Sequence, residues 1–400
     1  MRIEFQRWVD RWIGVPACRF FSVLSRLSFV RGRPVTVPRH VLVILLSEMG
    51  SLVLAIPMFE RIRQKYPRAT IHALIFDRNR GVLDLIEQVE PACVITVRDT
   101  SLGAMVGDTF RAILAMRRAG IDTVIDCELF SRVSSVYSYL SGARTRVGFE
   151  RHTQEGLYRG SFINRPVLYN PYHHISRQFI NLVDAIEGTG RPLVKRAEEA
   201  EPLDLPLRET SAAEIEAAER ALKSDFPGIR TDRLVLVYPG GGLLPIRAWP
   251  AESYAEVCGA LSREGWTVGV IGLAGDKPLA QRVLAGCGAA RRVDLTGYTK
   301  SLLDLVRLFH LARLLITNDG GPGHFASITP IRSIILYGPE TPALYGPLSA
   351  RAEVLFAGLP CSPCLTAYNH RNSPCDGNNA CLKQIQPRDV LDRARAVLEG

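Results

Sequence analysis

Short apolar, β-branched runs alternate with amphipathic helical stretches along almost the whole chain, and that alternation leaves few folds open. "HVLVILL" starts the series, and "TIHALIF", "ACVITV", "DTVIDC" and "TRVGF" continue it. Helical patterns fall between them through Phe59, Ile62 and Tyr66, around "FRAILAMRRAG", and at "VSSVYSYLSGA". Near-continuous apolar strands separated by helices are the pattern of a parallel sheet covered on both faces. The polar stretch "GTGRPLVKRAEEAEPLDLP" interrupts the series. It resumes after the helical "SAAEIEAAERALKSDF" with "RLVLVYPGGG", "WTVGVIG", "ARLLITNDGG" and "IRSIILYGPETP". At 400 residues the chain exceeds what one core usually serves. The expectation is therefore an α/β protein of two successive domains joined by a linker. Its segments read as an N-terminal amphipathic extension (1–36), a first domain (37–190), a linker and helix (191–230), a second domain (231–385) and a C-terminal helix (386–400).

The formal charge of +9 favours acidic partners: nucleic acid, anionic lipid or phosphorylated substrates. No helix-turn-helix, RNA-binding or zinc-finger pattern accompanies it, which argues against nucleic acid. "MRIEFQRWVDRWIGVPACRFFSVLSRL" has no uninterrupted apolar core, so it reads as neither a signal peptide nor a spanning helix. The expected location is the cytoplasm. Phe5, Trp8, Val9, Trp12 and Ile13 fall on one helical face, with Arg2, Arg7, Asp10 and Arg11 largely off it. That stripe fits either a helix lying in a membrane interface or one packed on the protein's own surface.

In open parallel sheets, ligands sit beyond the carboxyl ends of strands, where the turns at Gly50, Gly240, Gly272 and Asn318 all fall. The most informative stretch is "ITNDGGPGHFASITPIRSIILYGPETPALYGPL". A strand runs into Asn318 and Asp319, and glycines with Pro322 open a short helix containing His324. Backbone N–H groups there can take an anion, while Asp319 suits sugar hydroxyls or a cation beside a diphosphate. A purely structural alternative has Asn318 and Asp319 capping the helix and His324 satisfying a core hydrogen bond.

"TNDGGPGHFAS" with "LYGPETPALYGP" resembles the ADP-heptose:lipopolysaccharide heptosyltransferases, glycosyltransferase family 9. "YPGGGLLPIRAWPAESYAEV", "DLTGYTKSLLDL" and "VLVILLSEMGSLVLAIPMFERIRQKYP" extend the resemblance over most of the chain. The resemblance implies a GT-B architecture, two Rossmann-like domains facing a central cleft, with acceptor on the first and nucleotide sugar on the second. It implies that Gly240, Gly241 and Gly242 form the turn beneath the nucleotide. Arg247, standing where the family has lysine, would face the diphosphate, and Asp276 would bind the ribose. Asp319, Gly320, Gly321 and His324 match the donor-binding motif. A surface arginine and a helix-start aspartate are the plain alternatives for Arg247 and Asp276.

The first domain departs from the family. Its relatives carry aspartate, the general base, directly after the glycine of the first turn, and this chain has Ser51 after Gly50. A serine hydroxyl is not deprotonated near neutral pH without a base of its own. Glu128, with Glu48 second, is the candidate to take the proton; for Glu128 the alternative is N-terminal charge on the helix from Ser131. Arg132, Arg144, Arg146, Arg151 and Arg159, with His173 and His174, read either as a basic surface for an anionic glycan acceptor or as dispersed charge.

Finally, Cys361, Cys364, Cys375 and Cys381 cluster in one loop, 361–381. C-x-x-C is a zinc half-site, so structural zinc, free thiols and disulfides all stay open. Arg371, in the same loop, is a candidate second phosphate contact beside Asn369 and His370. The expected activity is that of an inverting glycosyltransferase moving heptose from ADP-heptose onto an anionic lipid-linked glycan, on the inner membrane face. No cofactor is required, and magnesium at the diphosphate is optional. The alternatives are a non-catalytic nucleotide-sugar-binding protein, its base lost with the aspartate, and a GT-B nucleotide-sugar epimerase.

Overall fold

Among the described residues twelve strands form two six-stranded sheets, and every strand pair in them is parallel. The computed structural model describes residues 8–27, 34–46, 48–129, 131–149, 158–188, 203–369 and 371–399. The chain divides into two compact units, Met1–Glu201 and Pro202–Gly400. The first part of the expected linker, 191–202, lies outside the described residues. Its later part, with the helix Ala212–Asp225, belongs to the second unit.

In the first unit the strands are β1 (His40–Ile44), β2 (Thr70–Phe76), β3 (Val94–Val97), β4 (Thr123–Asp126), β5 (Thr145–Phe149) and β6 (Arg165–Val167), in the order β3-β2-β1-β4-β5-β6. The second unit repeats the plan with β7 (Leu234–Tyr238), β8 (Thr267–Gly272), β9 (Arg292–Thr296), β10 (Leu314–Asn318), β11 (Arg332–Tyr337) and β12 (Ala352–Phe356), in the order β12-β11-β10-β7-β8-β9. Central strands are buried along nearly their whole length, as β1, β4, β7 and β10 show, because helices cover both faces of the sheet.

In each unit the strand order reverses beside the first strand, between β1 and β4 and again between β7 and β10. Loops leaving the two strands there diverge to opposite faces and open a crevice, the usual ligand position of doubly wound sheets. The C-terminal helix Pro387–Glu399 is no separate appendage: Val390, Ala394 and Val397 join the second unit's core.

The N-terminal extension packs on the first unit. Cys18 is fully buried with Phe162 and Ile163, and the Ser22 hydroxyl lies 2.6 Å from that of Tyr158. Asp10 Oδ1 accepts from the backbone N–H groups of Arg132 (2.7 Å) and Val133 (3.1 Å), and Asp10 Oδ2 pairs with the Arg132 guanidinium at 2.9 Å. Asp10 thus serves the first turn of the helix Arg132–Leu140, together with Ser131, whose hydroxyl accepts from Ser134 N–H.

Candidate functional site

At the reversal point of the second unit, Asn318 fixes the geometry. Its Oδ1 accepts from Trp249 N–H (3.0 Å) and the Tyr254 hydroxyl (2.9 Å), and its Nδ2 donates to the carbonyls of Pro239 (3.0 Å) and Gly240 (3.1 Å). All four hydrogen-bonding positions of the amide are used, so the end of β10 is stapled to the turn after β7. Gly240–Gly242 shape that turn. A side chain at Gly241 would stand 2.7 Å from the Leu244 carbonyl, and Gly242 sits at φ +60.

The turn delivers Arg247 inward. Its Nη2 donates to Glu340 Oε2 at 2.5 Å and its Nε stands 3.4 Å from Asp319 Oδ2. A dispersed surface arginine, the plain alternative, is therefore excluded. Arg371 joins from the cysteine loop, with Nε 3.8 Å from the same Glu340 oxygen and its guanidinium over the Tyr345 ring. Asn379 Nδ2 donates to the Ile246 carbonyl and ties that loop to the Arg247 turn. Burial pushes the Glu340 carboxyl up to about 8; Arg247 opposes this and Asp319 adds to it. Asp319 is raised by burial as well, with Arg247 pulling it down. Arg247 Nε and Asp319 Oδ2 have only their mutual ion pair at 3.4 Å, and Glu340 Oε1 is buried without a hydrogen-bond partner. Buried polar atoms are nearly always paired, so the open Glu340 oxygen beside an arginine shared by two carboxylates leaves hydrogen-bonding capacity for a polar ligand.

Gly320 and Gly321 lead into the helix Gly321–Ala326. A Cβ at Gly320 would meet nothing nearer than 4.0 Å, which leaves open space at this turn, whereas one at Gly323 would strike Ile335 at 2.8 Å. The first glycine keeps approach clear and the later one lets the helix lie close on the sheet. His324 is buried in that helix. Asp276 Oδ2 accepts from Leu273 N–H at 2.8 Å, a local turn contact that the sequence offered as the alternative to ribose binding.

In the first unit, Glu128 follows β4 and is buried. Its Oε1 accepts from Leu46 N–H at 2.6 Å, while Asn79 Nδ2 donates to the Leu46 carbonyl at 2.6 Å. The segment after β1 is thereby clamped to the ends of β2 and β4. The backbone N–H groups at the start of the helix Arg132–Leu140 are taken by Asp10 and Ser131, while Glu128 Oε1 is turned to Leu46. Gly50 is not the pivot of a tight turn: it lies inside the helix Met49–Leu54, with Glu48 at the N-cap position. The buried Ser51 hydroxyl donates to Glu48 Oε2 at 3.0 Å, so Ser51 is a donor to a carboxylate and not a base.

The basic surface expected of the first unit is largely internal. Arg159 is 0% exposed and paired with the equally buried Asp126. Arg146 donates to the carbonyls of Phe162 and Ala143, and Arg132 pairs with Asp10. His174 Nδ1 accepts from Ser176 N–H at the start of the helix Ile175–Asp184. Arg144 remains exposed, and Arg151, like His370 in the cysteine loop, lies outside the described residues. Burial holds the Asp126 carboxyl up at about 6 against the pull of Arg159, and its Oδ1 accepts from Glu128 N–H at 3.1 Å. Sequence reasoning missed the Asp126–Arg159 pair, Asn79 and the role of Glu340. Only Glu340 left a signal, inside the "LYGPETP" stretch.

In the cysteine loop, Cys381 is buried, Cys361 and Cys375 are exposed, and the Ser373 hydroxyl donates to Cys364 Sγ at 3.0 Å. Among the described residues no three His, Cys, Asp or Glu side chains gather into a group able to hold a metal ion.

Two doubly wound units, one with an arginine–carboxylate cluster at its reversal point, define the GT-B class of sugar-transfer proteins. The model of glycosyltransferase family 9 (heptosyltransferase) matches residues 110–373, and the chain belongs to that family and is a glycosyltransferase. Lipopolysaccharide heptosyltransferase 2 of Salmonella typhimurium is 23% identical over 364 residues, covering 90% of this chain and 98% of the relative. Among solved structures, a family 9 glycosyltransferase of Veillonella parvula superposes with a TM-score of 0.69 at 21% identity, covering 90% of this chain and 97% of its own. ADP-heptose lipopolysaccharide heptosyltransferase II of Escherichia coli does so with 0.68 at 22% identity, covering 90% and 98%. These likenesses do not favour the non-catalytic and epimerase readings.

Proposed function

We propose that this glycosyltransferase moves a heptose from ADP-heptose onto a hydroxyl of a lipopolysaccharide-type, lipid-linked glycan, with inversion at the anomeric carbon, at the cytoplasmic face of the inner membrane. The observation that carries this is the buried Arg247 held between Asp319 and Glu340 at the β7/β10 reversal point, where a guanidinium can meet a diphosphate. The names of the relatives support the sugar and the acceptor, and a solved neighbour of the same fold is a heptosyltransferase with ADP. In this reading the acceptor oxygen attacks the anomeric carbon as the bond from that carbon to the diphosphate oxygen breaks. A carboxylate takes the acceptor proton, and ADP leaves with the bonding electrons. Arg247, aided by Arg371, balances the charge that grows on the diphosphate. Glu128, already oriented by Leu46 N–H, is the assigned base and Glu48 the second choice. Asp276, Asp319 and His324 hold the nucleotide sugar.

The reading needs no redox cofactor. Magnesium on the diphosphate and zinc on the four cysteines are separate proposals, which metal analysis of purified protein and turnover under chelation would test. The central experiment pairs two measurements. ADP should raise the unfolding temperature more than UDP does, since a ligand that binds only the folded state stabilises it by about 2.7 kcal/mol at about a hundred times its Kd. Glu128→Gln should then lower kcat by roughly a hundredfold or more while keeping that ADP response. Normal turnover by Glu128→Gln would pass the role to Glu48, and a preference for UDP would remove the ADP-heptose assignment.

A further inference from the structure

Two helical segments of the first unit turn large apolar side chains to solvent. The stretch from Trp8 to Leu27 anchors on the protein through Asp10, Gly14, Cys18 and Ser22. It nevertheless exposes Trp8, Trp12, Ile13, Phe20, Val23 and Leu27, with Trp12 at 61%. The helix Leu102–Arg118 buries Asp108, Ala112 and Met116 on one side. On the other it exposes Leu102, Val106, Phe110 and Leu114, a stripe at four-residue spacing, with Phe110 at 66%. Both segments pack on the same helix, Arg132–Leu140. Asp10 reaches Arg132, the Thr109 hydroxyl lies 2.6 Å from that of Tyr137, and Arg117 Nε donates to the Leu140 carbonyl at 2.8 Å. Exposed apolar surface on this scale marks an interaction site.

Charge selects the partner. The exposed ionisable side chains of the two segments are all arginines: Arg11, Arg19 and Arg26 on the first, Arg111, Arg117 and Arg118 on the second. Each segment has a single acid, and both are committed to internal ion pairs: Asp10 to Arg132, and Asp108 to Arg98 and Arg111. The intervening helix contributes no acidic residue. Arginines with indole, phenyl and aliphatic groups, and no exposed carboxylate, match an anionic headgroup layer above acyl chains. No helix among the described residues is long and apolar enough to cross a membrane, so the match is to lying on a bilayer. We infer that the Trp8–Leu27 and Leu102–Arg118 segments together form a docking surface for an anionic phospholipid bilayer. This gives the membrane setting of the proposed function a physical surface, but it depends on neither the donor nor the base.

The test is co-sedimentation of the full-length protein, without donor or acceptor, with vesicles of one part phosphatidylglycerol to three parts phosphatidylethanolamine, against pure phosphatidylcholine. Binding should favour the anionic vesicles and weaken with added salt. Trp12→Ser, Phe110→Ser and Arg19→Glu should each lower the bound fraction's partition by about fivefold or more. Circular dichroism and the ADP-induced thermal shift should stay as in the unmodified protein. Equal binding to both vesicle types, or variants that partition like the parent, would overturn the inference. So would variants that convert a dimer to a monomer in sedimentation while vesicle binding is unchanged, since the faces would then cover one another. Vesicle binding with no ADP response would count against the donor reading alone, and an ADP response without vesicle binding against this surface alone.

Discussion

Replacing Glu340 by glutamine keeps the side chain's size while removing the charge whose Oε2 lies 2.5 Å from Arg247 Nη2. In the proposed reading an incoming diphosphate needs that guanidinium, so an ionised Glu340 competes with it and a neutral one does not. Burial holds the Glu340 carboxyl up at about 8. Roughly nine-tenths of the molecules therefore carry it neutral near about pH 7, and about one-tenth near about pH 9. If the diphosphate binds mainly the neutral form, affinity falls by about tenfold over that interval, about 1.4 kcal/mol. The sign is set by the direction of the shift: a raised carboxyl binds its proton at neutral pH and releases it as pH rises, so the loss appears on the alkaline side. Glu340→Gln should have nearly the parent's affinity near about pH 7 and a flat profile above it. Titration calorimetry with ADP across the range measures this directly. Because both proteins share the titration of ADP itself, their difference isolates Glu340. Parallel curves for the two would refute the competition argument.

Arg247→Ala should fold normally and lose roughly a hundred- to a thousandfold in kcat, with Arg247→Lys recovering part of it; near-parental turnover in the alanine variant would remove its role at the leaving group. Arg159→Met leaves the fully buried Asp126 without its partner and should lower denaturant stability by about 3–5 kcal/mol, with much of the loss recovered when Asp126→Asn is added. An unchanged midpoint in the single variant would contradict that pairing. Ser51→Ala should change kcat by less than about threefold, because Ser51 only donates to Glu48; abolished turnover would return Ser51 to the chemistry.

The central strands are legible in the sequence, as is the edge strand β3 in "ACVITV", and those missed are the other three edges, β6, β9 and β12, each paired on one side only. Central strands are buried on both faces and read as unbroken apolar runs, as "HVLVI" does. An edge strand has less to bury, so Arg165 and Pro166 in β6, Arg292 and Asp294 in β9 and Glu353 in β12 broke the pattern. The strand end at Asn318 and the glycine turn and helix after it were legible because they follow one another locally. The fate of the first unit's arginines was not. Arg159 is 33 residues from the Asp126 it meets, and nothing in its own neighbourhood separates a buried arginine from a surface one. The N-terminal stretch divided by face: Cys18 and Ser22 went to the protein and the tryptophans to solvent.

Asn318 has a further consequence for how the second unit meets its ligand. With all four amide positions occupied by Trp249, Tyr254, Pro239 and Gly240, the floor of the crevice takes its shape during folding, before any sugar nucleotide arrives. In the proposed reading, a floor ordered in this way leaves less backbone to order on binding, so less entropy loss subtracts from affinity. Variation in which nucleotide is accepted has to arise in side chains resting on this floor. Changing Asn318 itself would loosen the floor for every ligand alike.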